Sequence, residues 1–251
     1  MQAEKLRRAD KLSDAIVYYD SAIMADPYNH KFYFEKGKCH VLLNEEFHAI
    51  QALEQTIRLR PDHIESYTRL AWLYERKEDY QQVIRCLDNA AKYHRDDVYK
   101  LEYKLRILKT LQLLDRFDEA AKHIEEAKSL VDEGSQNYID ILYYEAKFQN
   151  LNEEHEKAIE TAKYALHTTN SVENHHVAKF YYELGYAYYK KGEYRNARAA
   201  FTYAKQELNT GMTKAPTTLH EQSTCKYLRI LDFLPLSRLA MINLIHPMEN
   251  I

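Results

Sequence analysis

Apolar residues recur along this chain at helical spacing, and the pattern itself returns at a longer pitch. Tyr67, Leu70, Ala71 and Tyr74 near the middle match Tyr181, Leu184, Gly185 and Tyr188 near the end. Each set is followed by a second apolar stretch with a small or β-branched residue at a fixed offset. Those anchors are Ala15, Ala49, Val83, Ala120, Ala158 and Ala197, with steps of 34, 34, 37, 38 and 39 residues. Glycine and proline number only five each, so strand and turn signals are rare and the pattern predicts a chain that is nearly all helix.

Two helices in one such unit cannot bury their apolar faces alone, so each unit needs the next stacked on it. Small residues in the first helices, Gly37, Ala71, Ala146 and Gly185, allow close approach of a neighbour. Tyr33, Tyr67 and Tyr181, four residues earlier, supply bulk. The inter-helix turns are expected at Asp10, Asn44, Glu78, Asp115, Asn152 and Gly192, with Asp and Asn as N-caps of the second helices. The fourth unit breaks the rule. It has Leu108 at the small position and neither Gly nor Ala between Lys92 and Glu119. Irregular packing is therefore expected there, with a change of curvature near residue 100.

Prolines close the first two units at Pro27 and Pro61, again 34 residues apart. A helix–turn–helix unit at this pitch resembles the tetratricopeptide repeat family. The resemblance covers residues 1–208 and is carried best by Tyr181, Leu184, Gly185 and Tyr188, followed by Ala197, Phe201 and Ala204. It implies an all-α, right-handed superhelical solenoid of about six repeats. Residues 209–218 read as a linker, and 219–251 as a C-terminal capping helix and tail. The tail, Leu236 to Ile245, is apolar enough to fold back or to support self-association. The first repeat lacks the front of its first helix, so the chain reads as a fragment of a longer protein.

Charge and composition narrow the function. With 35 basic and 38 acidic residues the net charge is −3, which speaks against a nucleic-acid binder. No stretch reaches the roughly 20 apolar residues that a bilayer span requires, so no membrane insertion is expected. Cys39, Cys86 and Cys225 are widely spaced and read as ordinary helix residues of a cytoplasmic protein. No phosphate loop, H-E-x-x-H or G-x-S-x-G motif occurs, and neither enzyme activity nor a cofactor is expected. The adjacent pair His175 and His176 points about 100° apart on a helix and is not read as a metal site.

The resemblance implies a function in protein–protein interaction. In this family, first-helix residues opposite the second helix line a concave face. Transferred unit by unit, that lining is Lys31, Phe34 and Lys38, then Glu65, Thr68, Trp72 and Arg76. Leu105 and Lys109 follow, then Tyr143 and Lys147, and finally Lys179, Tyr182, Tyr186 and Tyr189. The face mixes aromatic and basic residues and suits a peptide segment or a partner's surface. An alternative is a regulatory sensor module of a larger bacterial signalling protein, in which a peptide or small ligand alters curvature. A related RNA-binding helical-pair repeat is disfavoured by the acidic balance. The basic clamp by which some members hold acidic chaperone tails is not reproduced, since Phe34 and Lys38 stand at its first pair and Arg69 near its next position.

Overall fold

The computed structural model describes residues 11–168 and 174–211. Among them are eleven α-helices and no strand. The chain divides into two compact units, residues 1–130 and 131–251.

The first unit holds α1 (Leu12–Ala25), α2 (His30–Leu42), α3 (Glu46–Leu59), α4 (Ile64–Arg76), α5 (Tyr80–Tyr93), α6 (Asp97–Leu113) and α7 (Ala120–Lys128). Each packs on the next along the chain. The second unit holds α8 (Gln136–Leu151), α9 (His155–Thr168), α10 (Asn174–Lys190) and α11 (Tyr194–Gly211). Here α8 packs on both α9 and α10, and α10 on α11. All six anchor residues, from Ala15 to Ala197, are buried at the helix contacts. The close approach expected at the glycines is present. A Cβ on Gly185 would stand 2.8 Å from the Phe201 ring, and one on Gly37 would stand 3.0 Å from Leu53.

One turn geometry joins the helices of the five pairs whose turns are described. Asn44, Glu78, Asp115, Glu153 and Gly192 all have left-handed backbone, with φ between 53° and 80°. In each case the N–H of the next residue donates to the carbonyl five residues back, as Glu45 does to His40 at 2.9 Å and Glu193 to Tyr188 at 2.9 Å. This is the Schellman ending of a helix. The turns at Asn44, Glu78, Asp115 and Gly192 stand where expected, but the cap assignment is corrected. Asn44 and Asp115 end the first helix and do not cap the second. In the fifth pair the left-handed residue is Glu153, while Asn152 is the last right-handed one. The N-cap position of the next helix lies one residue later; in the third pair Asp79 fills it and accepts from the Gln82 N–H at 3.3 Å. Glu78 and Glu153 are exposed and carry a Cβ in a conformation that glycine adopts without strain. Glu78→Gly and Glu153→Gly are each expected to raise stability by about 0.5–1 kcal/mol in urea unfolding. A loss in both would mean that these side chains do more than occupy the turn.

The stretched pitch comes from the first helices. α2 and α4 have 13 residues each, whereas α6, α8 and α10 have 17, 16 and 17, about one helical turn more. The fourth pair departs further. Its second helix is entered through a 3-10 turn, Phe117–Glu119, and α7 has only nine residues. Leu108 is fully buried where the other pairs hold Ala or Gly. At its end α11 runs through Gly211, three residues into the segment expected as linker. The expected capping helix and tail, Cys225 and Asp10 lie outside the described residues.

Candidate functional site

In the first unit, α2 and α4 carry the aromatic residues expected to line a binding face. Trp72 is 42 % exposed on α4. The Arg76 guanidinium lies over its ring, 4.9 Å from the centroid. That guanidinium is fixed in turn by Glu46 at 2.8 Å and the Asn44 side chain at 3.1 Å. Trp72 thus sits on an arginine held by the preceding turn. Phe34 is buried, a correction to its place as an open lining residue. It packs 4.5 Å from the His63 ring, with Lys38 Nζ at 5.0 Å and Arg69 at 5.8 Å over its face. Burial, then the charges of His30 and Arg60, hold His63 below the usual imidazole range. Neutral His63 accepts from the Ser66 N–H at 3.3 Å. Lys31 and Lys109 are exposed, and the half-buried Thr68 donates to the Glu65 carbonyl at 3.0 Å.

In the second unit Tyr143 is also buried, the second correction to the lining. Lys147 and Lys179 stand over its ring at 5.6 and 5.3 Å. Tyr182 packs on Phe201 at 5.8 Å, and Tyr189 on Tyr194 at 5.9 Å. Half-buried Tyr186 carries Lys190, a residue the sequence reading passed over, at 5.5 Å. The signal for it was present: Phe34 and Lys38, Trp72 and Arg76, Tyr143 and Lys147, and Tyr186 and Lys190 are all aromatic–basic pairs four residues apart.

Two of the four basic residues expected on the first unit's lining, Lys38 and Arg76, are answered within the chain, as is the neighbouring Arg69. Lys38 pairs with Glu35 at 2.8 Å, Arg69 with Glu65 at 2.8 Å, and Arg76 with Glu46.

Two buried polar centres were not foreseen. Lys104 is 8 % exposed and stands four residues before Leu108, where α2, α4 and α10 carry Tyr33, Tyr67 and Tyr181. Its ammonium reaches Asp88 at 2.7 Å, Glu126 at 2.5 Å and His123 Nδ1 at 3.4 Å. It ties α5 and α7 to α6 and lies beside a cavity of about 530 Å³ whose lining includes Lys92, Lys100 and Lys122. The second centre is Glu183 on α10, 4 % exposed. The Asn150 amide donates to its carboxyl and to its backbone carbonyl, both at 3.0 Å. Burial pushes the Glu183 carboxyl up to about 7, against the smaller opposing effects of the Asn150 bond and Lys147.

A sequence profile of the family described as "Tetratricopeptide repeat" matches residues 178–204, which span most of α10 and the first part of α11. A search of curated proteins gave no match. Among solved structures, YrrB, described as a TPR protein with an unusual peptide-binding site, is 16% identical. It superposes with a TM-score of 0.51 over 83% of this chain and 97% of its own. One repeat of the chain thus matches the tetratricopeptide profile, and its fold is like that of solved tetratricopeptide-repeat proteins. MamA from Desulfovibrio magneticus RS-1 is similar at 16% identity, TM-score 0.53, over 72% of this chain and 96% of its own. BtubC from P. vanneervenii is similar at 14% identity, TM-score 0.53, over 87% and 95%. At these identities the likeness is one of fold.

Cys39 and Cys86 are buried at helix contacts, and burial pushes the Cys86 thiol up to about 12, so it stays protonated. No helix among the described residues is long and apolar enough to cross a membrane.

Proposed function

We propose that this protein is an interaction scaffold that holds an extended segment of a partner protein on its first-helix face. Trp72 carries the reading. A large aromatic side chain, half open to solvent and already ordered by a fixed arginine, loses little conformational freedom when a partner covers it. In the first unit the face comprises Trp72 and Arg76 with Lys31, Lys38, Thr68 and Lys109, and Phe34 serves as a buried platform beneath Lys38. In the second unit it comprises Tyr182, Tyr186 and Tyr189 with Lys147 and Lys179 above Tyr143. The partner segment is met by aromatic stacking and polar contacts more than by bulk charge, since the nearby cations are already paired. The family's use of first helices as an inner lining supports the same reading.

The test begins with peptides selected from a random display library on the intact chain. Trp72→Ala is expected to weaken the selected peptides by about 2 kcal/mol, roughly thirtyfold. Its melting temperature should change little, because no core cavity is opened. If Trp72→Ala instead unfolds the chain while its folded fraction binds unchanged, Trp72 is a packing residue and the face is elsewhere.

A further inference from the structure

Two groups of histidine and carboxylate side chains among the described residues bring their ligand atoms within 4.8 Å of one another. They differ in one decisive respect. In the group of Asp88, His123 and Glu126, the Lys104 ammonium already stands among the ligands. That site holds a built-in cation. The group of His40, Glu45 and His48 has none. Among the described residues, no lysine or arginine pairs with Glu45.

The turn between α2 and α3 assembles this second group. His40 is in the last turn of α2 and is 6 % exposed. Its carbonyl accepts the Glu45 N–H that closes the Schellman turn, so the two residues are clamped by backbone. Glu45 and His48 then lie three apart at the start of α3, on one face. His40 Nδ1 and Glu45 Oε2 are 2.6 Å apart, and the His40 and His48 rings stack at 5.2 Å. The other His40 nitrogen, Nε2, is buried without a partner, so Nδ1 is the ring's one polar contact. The same turn recurs in four other pairs, where its equivalents carry other chemistry. Arg116 pairs with Glu119, Glu154 with Lys157 at 2.9 Å, and Glu193 with Asn196 at 2.8 Å. The repeated frame is thus a constant scaffold, and only this copy of it presents two imidazoles and a carboxylate.

We infer that His40, Glu45 and His48 form a binding site for a divalent transition-metal ion of the zinc class. Two imidazole nitrogens and one carboxylate are a ligand set such ions accept, with positions left open. A cation held by His40 Nδ1 and Glu45 Oε2 takes the place of the hydrogen bond that now joins them. Glu45 and His48 are exposed and can close on the ion, while His40 is fixed. An occupied site would pin the ends of α2 and α3 together beside Arg76, which bonds to Asn44 and Glu46 of the same turn.

The full chain is titrated with Co²⁺ and followed by its visible absorption, then by displacement with Zn²⁺. The expected result is one equivalent bound, displaced by zinc, with a rise in melting temperature. His48→Ala, an exposed change that leaves the core intact, should weaken binding by about tenfold or more and abolish the thermal shift. Glu45→Gln should do the same. His123→Ala should leave metal uptake unchanged. The inference is overturned if the chain takes up no metal, or if it binds equally well with His48 removed.

Discussion

Leu108→Ala is expected to destabilise the first unit by about 4 kcal/mol, within the range of 2–5 kcal/mol for deleting a fully buried leucine. The figure matters because alanine is the residue that neighbouring pairs carry there. Ala71 and Ala146 are fully buried at equivalent positions, and Gly185 leaves room only for the Phe201 ring. If the fourth pair shared their packing, the change would bring it into line and stabilise it. Instead α6 is a turn longer than α4, α7 is short, and a 3-10 turn precedes it. The neighbours are built around a leucine, so alanine leaves a cavity. Urea unfolding of the variant decides the matter. A loss below about 1 kcal/mol would mean that the α6 contacts can collapse to the spacing of the other pairs.

Raising pH from 5 to 8 is expected to weaken the second unit, and Glu183→Gln is expected to remove that dependence. The Glu183 carboxyl is raised from 4.5 to about 7 in the folded chain, chiefly by burial. A protonated Glu183 is therefore favoured by folding. Its contribution is complete below 4.5 and is lost as pH rises through about 7, because the unfolded chain then releases the proton more readily. By pH 8 the loss is roughly 3 kcal/mol, following the free energy of the shift. The groups facing the carboxyl are the Asn150 amide, itself bonded to His155 Nδ1 at 3.3 Å, and the Lys147 charge. Glutamine keeps the acceptor for Asn150 and stays neutral at every pH. The variant should match the parent near pH 4.5 and exceed it in stability at pH 8. Parallel pH profiles for the two proteins would show that Glu183 is ionised without penalty.

What the sequence reveals and what it hides follow from how far apart the deciding residues are. The anchors from Ala15 to Ala197 are legible because packing in a repeat depends on neighbours at a fixed separation. Lys104 and Glu183 are hidden because their burial depends on partners elsewhere: Asp88 sixteen residues back, and Asn150 thirty-three residues back. Only register hinted at Lys104, a lysine where Tyr67 and Tyr181 stand in other pairs. Within the expected lining, depth differs by position. Residues just after the small position, such as Trp72, Lys109 and Tyr186, stay open or half open. Those three before it, Phe34 and Tyr143, sink beneath a cation one turn on. Of the described turns only the fifth lies one residue from its expected place, while the capping role was misread because Asn and Asp suit both an N-cap and a left-handed helix ending.

Trp72 is the only tryptophan among 251 residues, and it stands in α4 of the first unit. The protein consequently carries a built-in optical reporter with a fixed address. Its emission follows events on α4 and stays blind to melting confined to residues 131–211, which only the tyrosines and the helical ellipticity register. Unfolding traces recorded by fluorescence and by circular dichroism can therefore be told apart without any label. A gap between the two midpoints would measure how independently the two units melt.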